Sequence, residues 1–96
     1  MAIDVRIPTI LRTYTGGEKA VSGEGSTLAE VIDNLESNHP GIKERLIDGS
    51  ELRRFVNVYV NDEDVRFTGG LETKVEDGDE VVVLPAVAGG SRSAQG

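Results

Sequence analysis

The apolar residues at the start of the chain alternate with polar ones and predict a β-hairpin. Ile3, Val5 and Ile7 are separated by charged residues, which is the period of a half-buried strand. Pro8 ends this strand, because proline lacks the N–H group that a sheet ladder needs. A second short strand is predicted at 20–21 after a glycine-rich turn, so we expect the first two strands to pair antiparallel.

The next segment has the pattern of an amphipathic helix. Thr27 and Glu30 have the spacing of a capping box, in which the hydroxyl accepts from the Glu30 N–H and the carboxylate reaches back to the Thr27 N–H. His39, the only histidine, precedes Pro40 and is interpreted as the helix terminator. A short second helix is predicted at 42–47. The apolar stripe of the main helix consists of Leu28, Val31, Ile32 and Leu35.

Three strand-like segments are predicted in the second half of the chain. Segment 55–60 is the clearest, with three valines on one face and its aromatic residues on the other. Segment 65–67 is expected to be a short return strand. Segment 81–84 is continuously apolar, which is typical of a strand buried on both faces in mid-sheet. The element order β-β-α-(short helix)-β-β-β predicts an α+β roll, with one main helix on one face of a mixed sheet.

Composition and charge exclude several classes of function. The chain has 96 residues, the length of one domain, and a formal net charge of −7. This charge argues against nucleic acid and anionic membranes and favours a basic protein partner. No cysteine, metal-binding spacing or catalytic constellation is present in the sequence, so we expect neither an enzyme nor a bound cofactor or metal. Without a signal segment or spanning stretch, the expected location is the cytoplasm.

The pair Gly89-Gly90 differs from the other two glycine pairs in the sequence. Gly16-Gly17 and Gly69-Gly70 lie between predicted elements and are interpreted as turns that need positive φ. Gly89-Gly90 follows the last predicted strand, and no further strand follows for a turn to connect. A glycine pair there predicts a thin extended segment that can enter a narrow slot in another protein.

Three segments carry a resemblance to a known family. They are Ile7-Pro8-Thr9-Ile10-Leu11-Arg12, the stretch 55–67, and Leu84-Pro85-Ala86-Val87-Ala88-Gly89-Gly90. In this order they resemble the ubiquitin-like sulfur carriers of the MoaD/ThiS group, and in particular the actinobacterial carriers used in cysteine synthesis. The resemblance spans residues 3 to 90 and implies the β-grasp (ubiquitin-like) fold. We therefore expect a β-grasp domain over 1–88 and a flexible tail over 89–96.

The resemblance implies a function at the last glycine of the pair. In this family an E1-like enzyme uses Mg-ATP to adenylate the carboxylate of a terminal glycine, which corresponds to Gly90. A sulfur source then displaces AMP to leave a thiocarboxylate, and a sulfur-accepting synthase uses that sulfur to make cysteine or another sulfur-containing metabolite. Gly90 is thus the expected adenylation and thiocarboxylate site, with Ala88 and Gly89 as its stalk. The Mg-ATP is used by the activating partner and not bound by this chain.

The chain departs from the family pattern because six residues follow Gly90. While Ser91 is bonded to Gly90, no carboxylate exists there to adenylate. The Gly90–Ser91 bond is therefore the expected processing site, and a metalloprotease that trims the tail is an expected partner. The six residues fit either a natural precursor extension or an artificial addition. Two alternative functions remain open: a ubiquitin-like protein modifier, or the small subunit of a molybdopterin-synthase-type complex.

The aromatic residues of the predicted sheet indicate where a partner docks. Phe55, Tyr59 and Phe67 are expected either to form an exposed patch on the sheet face away from the helix or to fill a second small core under a loop. By resemblance, family members dock on their enzymes through such a face beside the tail. An exposed apolar patch is the physical form that such a docking site takes.

Overall fold

The computed structural model describes residues 2–54 and 56–85. Short 3-10 helices at Thr9–Tyr14, Val65–Phe67 and Gly70–Glu72 connect some of the elements. The helices and strands, in chain order, are β1 (Ile3–Arg6), β2 (Ala20–Gly23), α1 (Leu28–Asn38), α2 (Ile42–Leu46), β3 (Ile47–Asp48), β4 (Glu51–Leu52), β5 (Val56–Val60), β6 (Glu63–Asp64) and β7 (Glu80–Pro85).

The first and last strands of the chain form the parallel centre of a five-stranded mixed sheet. The strand order is β2-β1-β7-β5-β6, with Val5 of β1 opposite Val81 of β7. β2 pairs antiparallel with β1, which confirms the predicted hairpin, and β5 pairs antiparallel with β7. One main helix and a short second helix accompany this sheet. The arrangement is the β-grasp roll that the resemblance implied.

The core lies between α1 and one face of the sheet. The predicted apolar stripe of α1 is confirmed, because Leu28, Val31, Ile32 and Leu35 are all buried. Burial of this much apolar surface is the main force that holds a domain of this size together. The sheet supplies a matching set of buried apolar residues from β1, β5 and β7 and from the turn after β1, which includes Ile3, Val5, Ile7, Val58, Val81 and Val83.

The helix begins where the capping spacing predicts, with one difference in the partner of the carboxylate. The Thr27 hydroxyl accepts from the Glu30 N–H at 3.3 Å, as expected. The Glu30 carboxylate accepts from the backbone N–H of Ser26 at 2.9 Å, one residue before the predicted partner. This backbone hydrogen bond, together with one from the Ser26 hydroxyl, lowers the pKa of Glu30.

Helix α1 ends at the predicted position, and the Glu36 carboxylate connects this end to the start of α2. His39 has left the helical conformation, with φ −138°, and its N–H donates to the Leu35 carbonyl. The Glu36 carboxylate accepts from the backbone N–H groups of Gly41 at 3.1 Å and Lys43 at 3.0 Å. These bonds join the end of α1 to the start of α2, and they lower the pKa of Glu36. The second predicted helix is confirmed at Ile42–Leu46.

The predicted return strand at 65–67 is wrong. The strand that pairs with β5 is β6, at Glu63–Asp64, and the chain then turns into the 3-10 helix Val65–Phe67. Asp64 causes the turn, because its carboxylate accepts from the Arg66 N–H at 2.9 Å and caps the 3-10 helix. The connection before β6 is a two-residue hairpin turn in which Asn61 and Asp62 both have positive φ.

The expectation that the last strand is buried on both faces is also wrong. β7 is central in the sheet as predicted, and Val81 and Val83 are buried beneath α1. Val82 is only half-buried, and Leu84 is 45% exposed. The reason is that α1 covers a single face, so alternate residues of β7 point to an open face. Gly49 and Ser50 form the turn of a small hairpin between β3 and β4.

No helix in the described ranges 2–54 and 56–85 is both long and apolar enough to cross a membrane.

Candidate functional site

The last described strand leaves the sheet at the end where the predicted reactive segment begins. Pro85, the final residue of β7, lies opposite Val56, the first residue of β5. Gly90 follows five residues later in the sequence, at a reach of about 17 Å if the chain is extended. The predicted stalk Ala88-Gly89, the adenylation site Gly90, Ser91 of the processing bond and the docking residue Phe55 lie outside the described residues. The described part of the site is therefore the surface around Leu84 and Pro85.

Two apolar grooves flank Leu84 and Pro85, and we call this region the tail-exit surface. Pro8, Ile10, Leu84 and Pro85 line both grooves. Ile10 is 67% exposed and Leu84 is 45% exposed, which is unusual for large aliphatic side chains so close together. The first groove is completed by Leu11, Thr13, Tyr14, Arg45, Val56 and Val83. The second is completed by Arg6, Ile7, Thr9, Arg12, Lys19, Val82 and Val83.

Two of the three groove arginines, Arg12 and Arg45, are held in place by uncharged acceptors. Arg45 donates from Nε to the Tyr14 hydroxyl at 2.7 Å, and its guanidinium carbon lies 5.7 Å from the centre of the Tyr14 ring. Arg12 donates from Nε to the Ile7 carbonyl at 3.2 Å. Within residues 2–54 and 56–85, no carboxylate forms an ion pair with Arg12, Lys19 or Arg45. No ion pair within these residues therefore neutralises the three charges, and the side chains of Arg12 and Arg45 are oriented by their hydrogen bonds.

The aromatic residues that the sequence indicated for docking are placed in different ways. Tyr59 is half-buried and lines a shallow depression with Asp62, Val82 and Leu84, so it borders the tail-exit surface through Leu84. Phe67 is 88% exposed on its 3-10 helix, and it is not among the residues that line this depression. That exposure excludes Phe67 from a second small core. Docking through these residues stays a prediction.

Sequence reasoning missed the apolar residue that stands out on this surface, Ile10. The segment 7–12, which contains Ile10, carries the family resemblance but does not by itself predict a binding site. A usable signal was present, since Ile10 follows Pro8 closely and therefore lies beyond the end of β1. Only the parallel pairing of β1 with β7 shows that this place adjoins Leu84.

The opposite end of the sheet is acidic. The residues that precede β7 and those of the β5–β6 turn meet there, since Asn61 and Glu80 exchange hydrogen bonds. Asp79 accepts from the Glu76 N–H at 2.8 Å, and a hydrogen bond from Asn61 is the largest cause of the lowered pKa of Asp79. The described carboxylates at this end include Asp4, Asp62, Glu63, Glu76, Asp77, Asp79 and Glu80.

These carboxylates do not form a metal site. Among residues 2–54 and 56–85, no group of three or more histidine or acidic side chains is arranged to hold a metal ion. Asp62 and Glu63 instead belong to the hairpin turn and the short strand that follows it.

Comparisons with known proteins place this geometry in a family. The model of the ThiS family matches residues 5–90, so its last matched position is Gly90. The sulfur carrier protein CysO of Mycobacterium tuberculosis strain H37Rv is 62% identical, over 94% of this chain and 100% of the relative. Small archaeal modifier protein 3 of Haloferax volcanii is 39% identical, over 94% of this chain and 100% of the relative.

A solved structure agrees with the fold and the sequence likeness. The crystal structure of the Amycolatopsis orientalis BexX/CysO complex contains a chain 64% identical to this one, with a TM-score of 0.89, and the match covers 93% of this chain and 100% of that one. The overall fold and the sequence are therefore similar to those of CysO carriers. The chain belongs to the ThiS family and is a sulfur-carrier protein with the ubiquitin-like β-grasp fold.

Proposed function

We propose that the carboxylate of Gly90, once freed, is adenylated by an E1-like enzyme with Mg-ATP and converted to a thiocarboxylate. The sulfur is then passed to an acceptor held by a synthase, for cysteine or another sulfur-containing metabolite. The observation that carries the proposal is the family match, which covers residues 5–90 and ends at the second glycine of the pair. In this scheme the chain is a protein co-substrate and the chemistry belongs to its partners.

The position of β7 supports this role. β7 is fixed on both sides by β1 and β5, so the segment that follows Pro85 starts from a rigid, central strand. A rigid origin reduces the entropy lost when the following residues enter an enzyme. Activation is needed because a carboxylate is a poor acyl donor, whereas AMP is a good leaving group. Sulfide can then replace AMP at the carbonyl carbon and give the thiocarboxylate directly. With a persulfide donor the outer sulfur displaces AMP, and a second thiol then cleaves the resulting acyl disulfide, which releases the thiocarboxylate and leaves a disulfide on the donor.

Mass spectrometry tests the proposal directly. A chain ending at Gly90 is incubated with the host's E1-like enzyme, Mg-ATP and a sulfur source. Its mass should rise by the difference between sulfur and oxygen, and the gain should disappear when ATP is omitted. The matched control is the 96-residue chain, which should not react because Gly90 is amide-bonded to Ser91. Failure of the Gly90 form to gain sulfur from an enzyme that is active on another carrier would overturn the proposal.

Processing of the Gly90–Ser91 bond is the second part of the proposal. The share of this chain left unmatched by the CysO relative is about as large as the six residues after Gly90. We expect a metalloprotease of the host to cut this bond. The intact mass of the protein isolated from its host checks this, and a main species that keeps Ser91–Gly96 would contradict it.

A second candidate function, attachment to other proteins, has one specific observation in its favour. The Haloferax volcanii relative, 39% identical, is called a small archaeal modifier protein. A modifier uses the same adenylate but transfers the Gly90 carbonyl to a lysine amine, which forms an isopeptide bond. Conjugates that survive reducing, denaturing electrophoresis and contain a peptide ending in Gly90 on a lysine would favour this function. Their absence under conditions that yield thiocarboxylate would favour the carrier alone.

A further inference from the structure

The charged residues near the two ends of β7 differ in sign. The net charge of −7 gives the impression of a uniformly acidic molecule. Carboxylates gather where β7 begins, and one of them, Asp62, also lines the depression beside Leu84. Arg6, Arg12, Lys19 and Arg45 line the two grooves where β7 ends. No carboxylate lines either groove within the described part of the chain. The end that presents the tail is therefore locally basic.

The basic character of the tail-exit surface depends mainly on three of these four residues. Arg6 is partly neutralised, because its Nε lies 3.3 Å from Asp4 and 3.1 Å from Glu80. Arg45 and Arg12 use their Nε atoms on a tyrosine hydroxyl and a backbone carbonyl, and Lys19 is exposed. The terminal nitrogens of the two guanidinium groups are thus the part that a partner meets.

Apolar and positively charged side chains line the grooves together, which is typical of a protein interface. Ile10, Leu84 and Pro85 are apolar residues that line both grooves, and each groove also has at least one of the cations in its lining. Arginine is enriched at such surfaces because its planar group binds carboxylates with defined geometry. A single phosphate needs donors that converge on one point, whereas these cations line separate grooves, so the pattern fits a broad acidic protein surface.

We infer that the enzymes that act on the tail present acidic side chains around the slot that receives it, and that the two-ended charge of this protein orients it tail first. The inference rests on the proposed function, because it concerns the partners of the same tail. A partner that reaches a carboxylate five residues beyond Pro85 must approach the surface around Pro85. The acidic end is repelled by the same partner, so encounters in the wrong orientation are disfavoured.

Paired charge-neutralising variants test the inference. Lys19→Gln with Arg45→Gln removes two charges from the grooves, and Lys43→Gln with Lys74→Gln removes two charges from residues that line neither groove. Both double variants have the same net charge. The probe is the host's E1-like enzyme without ATP, and stopped-flow fluorescence gives the association rate constant with each chain ending at Gly90.

The groove variant should associate about 3- to 10-fold more slowly than the unaltered chain at low salt, and the other variant less than about 2-fold more slowly. The difference in association rate between the two variants should vanish at about 1 M salt, where the Debye screening length is only about 3 Å. Circular dichroism confirms that both variants are folded. Equal effects of the two variants, or no detectable binding by any chain, would overturn the inference.

The adenylation assay separates this inference from the proposed function. If the groove variant binds more slowly but no chain gains sulfur in the mass assay, the sulfur-transfer proposal is overturned. The inference of an acidic partner surface is then still supported. Adenylation of all chains with equal Michaelis constants would support the sulfur-transfer proposal and overturn the acidic partner.

Discussion

Arg66 donates from its guanidinium group to the carbonyl oxygen of Val56 at 2.7 Å, at the place where a longer β6 would have supplied a backbone N–H. β6 pairs only with Tyr59 and Val60, so the start of β5 lacks a strand on that side. The same guanidinium also donates to the Asn57 side chain at 2.5 Å. The side chain of Arg66 thus completes the sheet beside the strand that faces Pro85.

Replacement of Arg66 by methionine should therefore destabilise the protein although residue 66 is exposed. The change keeps the length of the side chain but removes the donors, and we expect a loss of about 1–3 kcal/mol in the free energy of unfolding. Urea denaturation measures this loss. Arg54→Met is the control, since Arg54 is exposed and next to the same strand. Equal stabilities of the two variants would show that the Arg66 contact contributes nothing.

Alanine substitution at two glycines should distinguish the cost of backbone strain from the cost of a steric clash. Gly49 has φ +69°, and an added Cβ would meet no atom within 4 Å. Gly25 has φ +154°, and its Cβ would lie 2.7 Å from the Glu30 Cβ and 2.8 Å from the Val31 nitrogen. We expect Gly49→Ala to cost about 1–2 kcal/mol from strain alone and Gly25→Ala more than about 2 kcal/mol, because α1 must also shift. Thermal or urea unfolding of both variants gives the order, and the reverse order would contradict it.

Substitution of two leucines should have different effects, one on the stability of the fold and the other on partner binding. Leu35 is buried beneath the sheet, so Leu35→Ala should cost about 2–5 kcal/mol through the cavity it leaves. Leu84 is 45% exposed on the tail-exit surface, so Leu84→Ala should change the free energy of unfolding by less than about 0.5 kcal/mol. Leu84→Ala should instead raise the Michaelis constant for adenylation of the Gly90 form. An unchanged Michaelis constant would remove Leu84 from the docking surface.

The contact of Glu36 with α2 should make stability depend on pH. Hydrogen bonds from the backbone N–H groups of Gly41 and Lys43 lower its pKa below the ordinary value of 4.5. The stabilisation is therefore fully present above pH 4.5 and is lost as the pH falls through the lowered pKa of the folded state. Glu36→Gln should be less stable than the unaltered chain at pH 7, and this difference should shrink below pH 4.5.

Urea titrations between pH 3 and pH 7 measure this difference. Glu44→Gln, in the exposed part of α2, controls for the loss of one negative charge. A difference between Glu36→Gln and the unaltered chain that stays constant down to pH 3 would contradict the assigned contact.

The elements whose local pattern and packing agree were predictable from the sequence. The stripe of Leu28, Val31, Ile32 and Leu35 predicted α1, because a helix places these spacings on one face and the core buries that face. Thr27 and His39 predicted its ends, because capping depends on residues next to each other in the chain. The glycine pair at Gly89-Gly90 and the likeness of the surrounding segments indicated the family by themselves.

Two predictions from the sequence were wrong, namely the burial of β7 on both faces and the strand at 65–67. The first depended on how many faces of the sheet are covered, and the second on a side-chain hydrogen bond. A run of valines predicts a strand but does not tell whether one or two of its faces are covered, so the exposure of Leu84 required the position of α1. The 3-10 turn after β6 depended on the Asp64 carboxylate, which competes with the ladder for the Arg66 N–H.

The sequence by itself determined α1 with its buried stripe and the first hairpin, because these are encoded in local spacing. The resemblance of three segments indicated the family and predicted Gly90 as the reactive glycine. The tertiary structure decided what surrounds the tail. Parallel pairing of β1 with β7 brings Ile10 beside Leu84, although they are far apart in the chain. The same pairing separates the basic groove residues from the carboxylates at the start of β7, a division that net charge cannot express.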